Sequence, residues 1–216
     1  MSDAALLDHR IVSKHRLEAL SDGVFAVVVT LLALDLKVDH LLPHSSNSAV
    51  WEELRHLGPE LVGFFVTFGL ACAFWYQQHA LLHFLKRVDK SIMWLTFVFL
   101  CALSLLPFSV SLYTKGIHSA VCLSVYFGNI GLLGGVLGLT WWVAQRRGFF
   151  NEQTDPHSLW FMPRHSWAFF GGAIVAIALS WYSPEMAPFG LIIPVLALRV
   201  HARRKKKLGT SGTAHA

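Results

Sequence analysis

Long apolar runs alternate with short polar connections along the chain. A helix needs roughly 20 apolar residues to cross a bilayer core about 30 Å thick, and most of the runs reach that length. They predict six membrane-spanning helices, at residues 17–38, 60–83, 92–113, 119–144, 166–183 and 187–201. The sixth run is short and contains Pro194, so a kinked or re-entrant segment is the alternative there. One or two helical turns at residues 48–60, lying at the membrane interface, are predicted to precede the second span.

Composition agrees with this pattern. The 216 residues are 54% hydrophobic and only 14% charged, whereas a soluble globular domain has about 25% charged residues. We therefore predict an all-α membrane protein. Its connections are too short for a soluble catalytic domain, so we expect neither enzyme activity nor a cofactor. Three cysteines (Cys72, Cys101 and Cys122) lie inside apolar runs without a CxxC pair, which argues against a disulfide framework or a zinc site.

The basic residues predict the orientation. With six spans, 15 of the 18 lysines and arginines fall on the side that both termini share, and only Lys37, Arg55 and Lys115 fall on the other. Cytoplasmic connections carry the excess of Lys and Arg, so both termini are predicted to be cytoplasmic. The net charge of +5 then reflects membrane topology rather than nucleic-acid binding. The predicted parts are an N-terminal segment, a transmembrane domain and a basic tail, at residues 1–15, 16–201 and 202–216.

The first apolar run, RLEALSDGVFAVVVTLLALDLKV at residues 16–38, divides into two faces. At about 100° per residue, an apolar stripe follows one face of the helix. Its members are Leu20, Gly23, Val27, Leu31, Leu34 and Val38, with Thr30 at the edge. Glu18 and Asp22 fall on the opposite half, and because charges within a span are costly, Asp22 is predicted to pack against a neighbouring helix. Periodicity leaves open whether the stripe faces lipid, another helix or a pore.

Two histidines near the end of the second span are the candidate ligands. His79 and His83 are four residues apart and share one helix face. They could ligate a metal or a haem, which would make the protein a membrane electron carrier. A structural hydrogen bond made by His79, with His83 at the interface, is the simpler interpretation. An ion-coupled transporter that uses Asp22 and His79 is a further alternative.

Glycine and proline predict how the later spans pack. Gly131 and Gly135 are four residues apart, as are Gly134 and Gly138, and small residues at that spacing allow helices to approach closely. Asn129, in the same run, is a candidate for a hydrogen bond between helices. Pro107 lies inside the third span and should kink it, with Ser109 or Ser111 satisfying the freed carbonyl.

The first three spans resemble the bacterial transmembrane-protein-175 family, relatives of the lysosomal potassium channel. The family hallmark is Arg, three residues, Phe, Ser, Asp, and this chain has Arg16, Ser21 and Asp22 with Leu20 in place of the Phe. Further matches are Trp75, His79, Trp94, Leu95 and the Leu-Pro-Phe of residues 106–108. Gln78 and Thr96 depart from the family pattern, where a His and an Asn are usual. The last three spans agree only in hydropathy and order.

The resemblance implies a potassium-selective channel of the bacterial plasma membrane. Six-helix subunits would assemble as a tetramer around a central pore lined by the first helix, without a TVGYG filter, which this chain lacks. The implied partners are potassium ions, the lipid bilayer and copies of the chain, with no cofactor and no nucleic acid. Motif alignment assigns the constriction to Val27, Leu31 and Leu34, with Thr30 as a polar layer beside them. Val27 is smaller than the usual Leu or Ile, so weaker selectivity is expected; the alternative for Thr30 is a bond to the Ala26 carbonyl.

The resemblance also assigns supporting roles. Arg16, Ser21 and Asp22 would hold the cytoplasmic half of the pore helix, together with Trp75 and His79, either of which is a candidate partner for Asp22. Asp35 and Asp39, at the outer end of the helix, could raise the local cation concentration.

Overall fold

The structure, a computed structural model, describes residues 14–34, 36, 46–151 and 156–192. Within these residues the chain is helical and has no β-strand, only an isolated bridge between Leu85 and Phe150. The helices are α1 (Lys14–Leu34), α2 (Asn47–His56), α3 (Gly58–Phe84), α4 (Lys90–Ser104), α5 (Leu106–Lys115), α6 (Ala120–Arg146) and α7 (Pro156–Tyr182). A 3-10 turn at Pro184–Met186 leads into helical residues 187–192.

Four helical stretches are long and apolar enough to cross a membrane: Lys14–Leu34, Gly58–Phe84, Lys90–Lys115 and Ala120–Arg146. They correspond to the first four predicted spans, so the all-α membrane class is confirmed. The fifth predicted span lies within α7, which has 27 residues but does not belong to that set. The sixth continues past residue 192, outside the described residues, and six spans therefore stay a prediction. The N-terminal segment up to residue 13 and the tail at 202–216 also lie outside the described residues.

Three boundaries differ from those predicted. α7 begins at Pro156, ten residues before the predicted 166, because Pro is well tolerated in the first turn of a helix. Hydropathy missed these turns since Pro163, Arg164 and His165 interrupt the apolar run. α1 ends at Leu34 rather than at 38, and residue 36 is not helical. α2 forms a full ten-residue helix with Ser46 as its N-cap, longer than the one or two turns predicted.

The predicted kink at Pro107 is a break in the third span. α4 ends at Ser104 and α5 starts at Leu106, because Pro107 has no N–H and excludes the carbonyl four residues earlier. Asn129 of α6 lies at this joint. With its amide oriented to satisfy both atoms, it donates to the Ala102 carbonyl (2.9 Å) and accepts from Leu106 N (3.3 Å). The expected hydrogen bond of Asn129 between helices is thus confirmed.

The serine prediction at this joint is only partly right. In that orientation Ser109 Oγ lies 3.1 Å from the Asn129 oxygen, to which it donates. Its other close oxygen is the Leu106 carbonyl at 2.9 Å, which is not a group that Pro107 frees. The Ala102 carbonyl instead receives Leu105 N at 3.2 Å as well as the Asn129 amide. The joint is therefore satisfied from a neighbouring helix more than by its own serines.

The closest helix pair is α6 with α7, and glycines make that approach possible. A Cβ added at Gly134 would lie 2.8 Å from the Ser166 carbonyl oxygen, and one at Gly131 would lie 2.8 Å from Ala173 Cβ. A Cβ at Gly138 would lie 3.0 Å from the Trp167 ring. The predicted close approach is confirmed. We call Gly131, Gly134, Gly135 and Gly138 the glycine seam.

A chain of buried phenylalanines joins α1 to the other helices. Phe25 of α1 lies with its ring centroid 6.0 Å from that of Phe99 on α4. Phe74 of α3 lies 6.2 Å from Phe99 and 4.9 Å from Phe169 of α7. Edge-to-face and tilted contacts of this kind add to the dispersion energy of the core. One side of α1 packs on α3, α4 and α5, and its other side is exposed among the described residues.

Candidate functional site: the exposed face of the first helix

The two faces of α1 have opposite environments. Leu17, Phe25, Val28 and Leu32 are buried in the core. The predicted stripe is the exposed face: Val27 is 57% exposed, Leu31 41% and Leu34 69%. Leu20, Gly23 and Thr30 are exposed on the same side, while Val38 lies outside the described residues. An apolar face left open by the chain's own fold is suited to lipid or to another protein surface.

Thr30 lies within this face and bonds to its own helix. Its Oγ1 donates to the carbonyl of Val27 at 2.7 Å. The predicted alternative had the Ala26 carbonyl as acceptor, and the structure places the bond one residue further along the chain. Both acceptors are within reach of a helical threonine, whose two favoured rotamers differ in which carbonyl they face.

Asp22 contacts the second long helix, α3. The indole Nε1 of Trp75 donates to Asp22 Oδ1 at 2.8 Å, so the expected contact with a neighbouring helix is confirmed, with Trp75 as the partner. His79 stacks on the Trp75 ring, with centroids 5.2 Å apart and planes 22° apart. His83 follows at 6.3 Å and 13°. We call Asp22, Trp75, His79 and His83 the inner column.

The remaining charges of the α1 motif behave differently from Asp22. Glu18 pairs with Lys14 of its own helix at 3.8 Å, so its charge is matched locally and not by a neighbouring helix. Ser21 is buried and its Oγ donates to the Leu17 carbonyl at 2.9 Å. Arg16 is exposed and makes no hydrogen bond or ion pair among the described residues. Its expected anchoring role therefore has no supporting hydrogen bond or ion pair among the described residues.

Lys14 makes a contact that sequence reasoning missed. Its Nζ donates to the carbonyls of His83 (2.9 Å) and Leu85 (3.0 Å), which end α3. A cation is stabilised there because the last carbonyls of a helix are unpaired and carry partial negative charge. α1 is therefore tied to α3 at two points, at Lys14 and at Asp22. The excess of basic residues identified Lys14 only as a flanking charge, and no local pattern reports a contact across about 70 residues.

A groove runs between α1 and α3 beside the Asp22–Trp75 contact. It has a volume of about 360 Å³ and is lined by Asp22, Phe25, Ala26, Val29, Ala71, Cys72 and Trp75. Its surface is almost entirely apolar apart from Asp22. The groove is thus a second apolar surface of α1, beside the inner column and separate from the stripe.

The histidines do not gather other ligands within the described part of the chain. No group of three or more His, Cys, Asp or Glu side chains lies close enough there to hold a metal ion. His79 lies beside Trp75 rather than hydrogen-bonded to Asp22. Asp35 and Asp39 lie outside the described residues, so the predicted outer mouth has no structural description.

Residues 16–107, which include α1, the inner column and the Pro107 break, match the family model described as "Endosomal/lysosomal potassium channel TMEM175". The resemblance to this family is confirmed. The match contains the Asp22–Trp75 tie point but not Lys14, and it ends within the third span, at the Leu-Pro-Phe that belongs to the sequence resemblance.

Relatives extend the TMEM175 likeness. A potassium channel of Streptomyces collinus is 28% identical over 145 residues, covering 65% of this chain and 69% of that protein. The endosomal/lysosomal proton channel TMEM175 of Mus musculus is 26% identical over 136 residues, 56% of this chain and 27% of that protein. The crystal structure of a TMEM175 homolog from Chamaesiphon minutus, titled a lysosomal potassium-selective channel, superimposes with a TM-score of 0.70 at 24% identity, covering 88% of this chain and 97% of the other. The shared fold therefore extends beyond the first three spans.

Proposed function

We propose that this protein is a potassium-permeable channel whose pore is lined by the exposed face of α1. The observation that carries the proposal is the coincidence of two independent features. Val27, Leu31 and Leu34 are among the apolar residues of α1 that the described part of the chain leaves exposed. The same helix begins the segment that matches the TMEM175 family model.

Copies of the chain are needed to enclose such a pore. The stripe lies on the outside of the described part of one subunit, where none of the described helices faces it. The proposed assembly is a tetramer in the plasma membrane, with α1 of each subunit at the central axis and six spans per subunit. The apolar groove beside Asp22 and Trp75 would receive part of the neighbouring subunit. Both termini would be cytoplasmic, so that the inner column lies toward the cytoplasmic end of the pore.

The constriction would work through the cost of removing water from the ion. Rings of Val27, Leu31 and Leu34 offer no ligands, and an apolar constriction gates by dewetting. Potassium holds its hydration shell less tightly than sodium, so the same ring opposes its passage less. The Thr30 oxygens supply a modest polar step between the apolar rings. Because a valine ring is wider than a leucine ring, discrimination at Val27 is expected to be weaker than at Leu31 and Leu34.

The inner column would set the position of the pore helix. Asp22 and Lys14 attach the inner half of α1 to α3 at separate heights. A movement of α3 relative to the core would therefore move the stripe and change the width of the rings. Arg16 and Ser21 are proposed to support this part of α1, Arg16 through a contact that forms only between subunits.

The decisive experiment is single-channel recording in planar bilayers with potassium on one side and sodium on the other. The wild-type current should reverse at a potential that indicates higher permeability to potassium than to sodium. Leu34→Ala should move the reversal potential toward zero, because a wider ring admits hydrated sodium. The matched control is Leu132→Ala, which shortens an exposed leucine on α6 by the same three carbons. An absence of unitary currents, or an equal shift in both variants, would contradict the proposal.

Proton permeation is a second candidate, because the mouse relative is a proton channel. The same recordings with a pH gradient and equal potassium distinguish the two ions: a proton channel reverses near the proton potential, a potassium channel near zero. A gradient-coupled transporter that uses Asp22 and His79 is less well supported, since Trp75 takes the Asp22 hydrogen bond and His79 only stacks on Trp75.

A further inference from the structure

Two exposed arginines near one end of the α6–α7 pair each lie over a tryptophan. Arg146 Cζ is 4.6 Å from the centroid of the Trp142 ring, one turn back on α6. Arg164 Cζ is 4.2 Å from the Trp160 ring, and its NH1 also donates to the Trp160 carbonyl at 3.0 Å. Both guanidinium groups therefore lie over aromatic rings while the two side chains remain exposed.

The packing of α6 and α7 along the glycine seam places the two arginine–tryptophan pairs at the same end of this helix pair. Trp167 of α7 packs on Gly138 of α6, and the two helices run in opposite directions. Trp142 and Arg146 follow Gly138 by one and two turns, while Arg164 and Trp160 precede Trp167 by one and two turns. The four side chains are thus at the same end of the same helix pair. We call Trp142, Arg146, Trp160, Arg164 and Trp167 the arginine–tryptophan patch.

The charges of this patch are not matched by carboxylates. Within the described part of the chain, no acidic side chain pairs with Arg146 or Arg164. The neighbouring Arg147, in contrast, is paired with Asp89 and also bonds to Ser91 at 3.2 Å. Arg147, at the same end of the bundle, therefore has a carboxylate partner, whereas the two arginines of the patch have none among the described residues.

Along α7, the exposed surface that follows Arg164 is apolar. Trp167 and Phe170 are in edge contact with centroids 5.8 Å apart, and Ile174 continues the same exposed face along α7. Trp142 is 44% and Trp167 42% exposed, as tryptophans at a membrane–water interface commonly are. A ligand that fits this surface has an anionic group for the guanidinium pair and a long apolar part for the rings and Ile174.

We propose that the arginine–tryptophan patch binds the headgroup of an anionic glycerophospholipid, whose acyl chain lies along Trp167, Phe170 and Ile174. The phosphodiester receives charge-assisted N–H bonds from Arg146 and Arg164, the planar donors best suited to phosphate. The proposal rests on the membrane placement in the proposed function, and it does not depend on which ion the protein conducts.

The test measures lipid binding to the purified full chain in detergent, with phosphatidylglycerol and phosphatidylcholine as probes and native mass spectrometry as the readout. Each basic residue near an anionic lipid contributes about fivefold in affinity, so Arg146→Gln with Arg164→Gln should weaken phosphatidylglycerol binding about 30-fold. Phosphatidylcholine binding should stay within about twofold of wild type. If the double variant does not fold, each single variant is expected to show about a fivefold loss.

The control removes two exposed charges elsewhere. Arg55→Gln with Lys115→Gln lowers the net charge equally at the other end of the bundle, and it should leave phosphatidylglycerol binding within about twofold. An equal loss in both double variants, or no loss in either, overturns the site. Soluble glycerol phosphate that displaces the lipid at equal concentration shows that the patch binds free phosphate esters, which also overturns the proposal. Binding without any unitary current would sink the channel function and leave the lipid site standing.

Discussion

α6 and α1 are both apolar helices of span length, and they differ in how far the chain itself covers them. Half of the apolar stretch of α6, 50%, is buried within the chain, compared with 28% of α1 and 22% of α3. α6 reaches its neighbours through the glycine seam and the Asn129 joint. α1 has one covered face and one face of exposed Val and Leu. The helices of the chain itself cover half of α6, whereas the exposed face of α1 is a surface for lipid or a further subunit.

The largest effect should come from filling the glycine seam. Gly134→Ala places a Cβ 2.8 Å from the Ser166 carbonyl oxygen, which a backbone cannot easily avoid, so α6 and α7 must separate. We expect a loss of about 3 kcal/mol of stability, at the upper end for overpacking, measured as a lowered melting temperature in detergent. Gly171→Ala is the control, since its Cβ would meet nothing within 4 Å. Equal melting temperatures of the two variants would show that the seam is not tight.

A smaller loss is expected at the joint of the third span. Asn129→Leu has a similar volume but leaves the Ala102 carbonyl and Leu106 N with fewer partners. Hydrogen bonds of this kind are worth about 1–2 kcal/mol between membrane helices in model peptides. The melting temperature should fall by less than in Gly134→Ala. Ser111→Ala, which changes a nearby half-buried serine, is the control, and a fall as large there would contradict the assignment.

Substitutions in the inner column should affect channel activity more than stability. Trp75→Phe keeps a ring for His79 to stack on but removes the N–H that bonds Asp22. Because Asp22 is exposed in the single chain, we expect at most about 1 kcal/mol in melting experiments. The open probability of the channel should change. Trp94→Phe alters another exposed indole that contacts Phe97, and it should leave gating as in wild type. Unchanged gating in Trp75→Phe would separate the inner column from the pore.

The smallest effect is expected at the end of α3. Lys14→Met keeps most of the side-chain length and removes the charge that lies on the His83 and Leu85 carbonyls. Interactions of a cation with a helix C-terminus are worth about 0.3–1 kcal/mol and decline with salt. The difference between wild type and variant in melting temperature should therefore shrink at high ionic strength. A salt-independent difference would point to lost packing of the lysine stem instead.

Features that depend on local periodicity were predictable from the sequence. The exposed stripe of α1, the close approach at the glycine seam and the break at Pro107 each follow from residue spacing within one helix. A contact of Asp22 with a neighbouring helix was expected because a charge within a span needs a partner, and the family resemblance offered Trp75 and His79 as candidates without choosing between them. Each of these features follows from a property of a single residue type, such as the small size of glycine, the missing N–H of proline or the charge of Asp22.

Contacts between distant loops were not predictable in this way. Lys86 N donates to the Phe149 carbonyl at 2.8 Å, and Asn151 N donates to the Phe84 carbonyl at 3.0 Å, which ties the end of α3 to the turn after α6. Gly148 permits that turn, since its φ of 62° lies in the left-handed region. Neither segment has a periodic pattern, and their pairing depends on where α3 and α6 end in space. The early start of α7 was missed for a related reason: hydropathy averages a polar helical turn into the loop beside it.

The hydrogen bond of Thr30 has one more consequence. A carbonyl cannot donate, so the Thr30 hydroxyl proton must point toward the Val27 oxygen, and the threonine oxygen has only lone pairs left for other partners. In the proposed pore, a ring of such oxygens is a ring of acceptors without free donors. It would attract cations and repel chloride. Ions would therefore be selected by the sign of their charge at Thr30 and by their size at the neighbouring apolar rings.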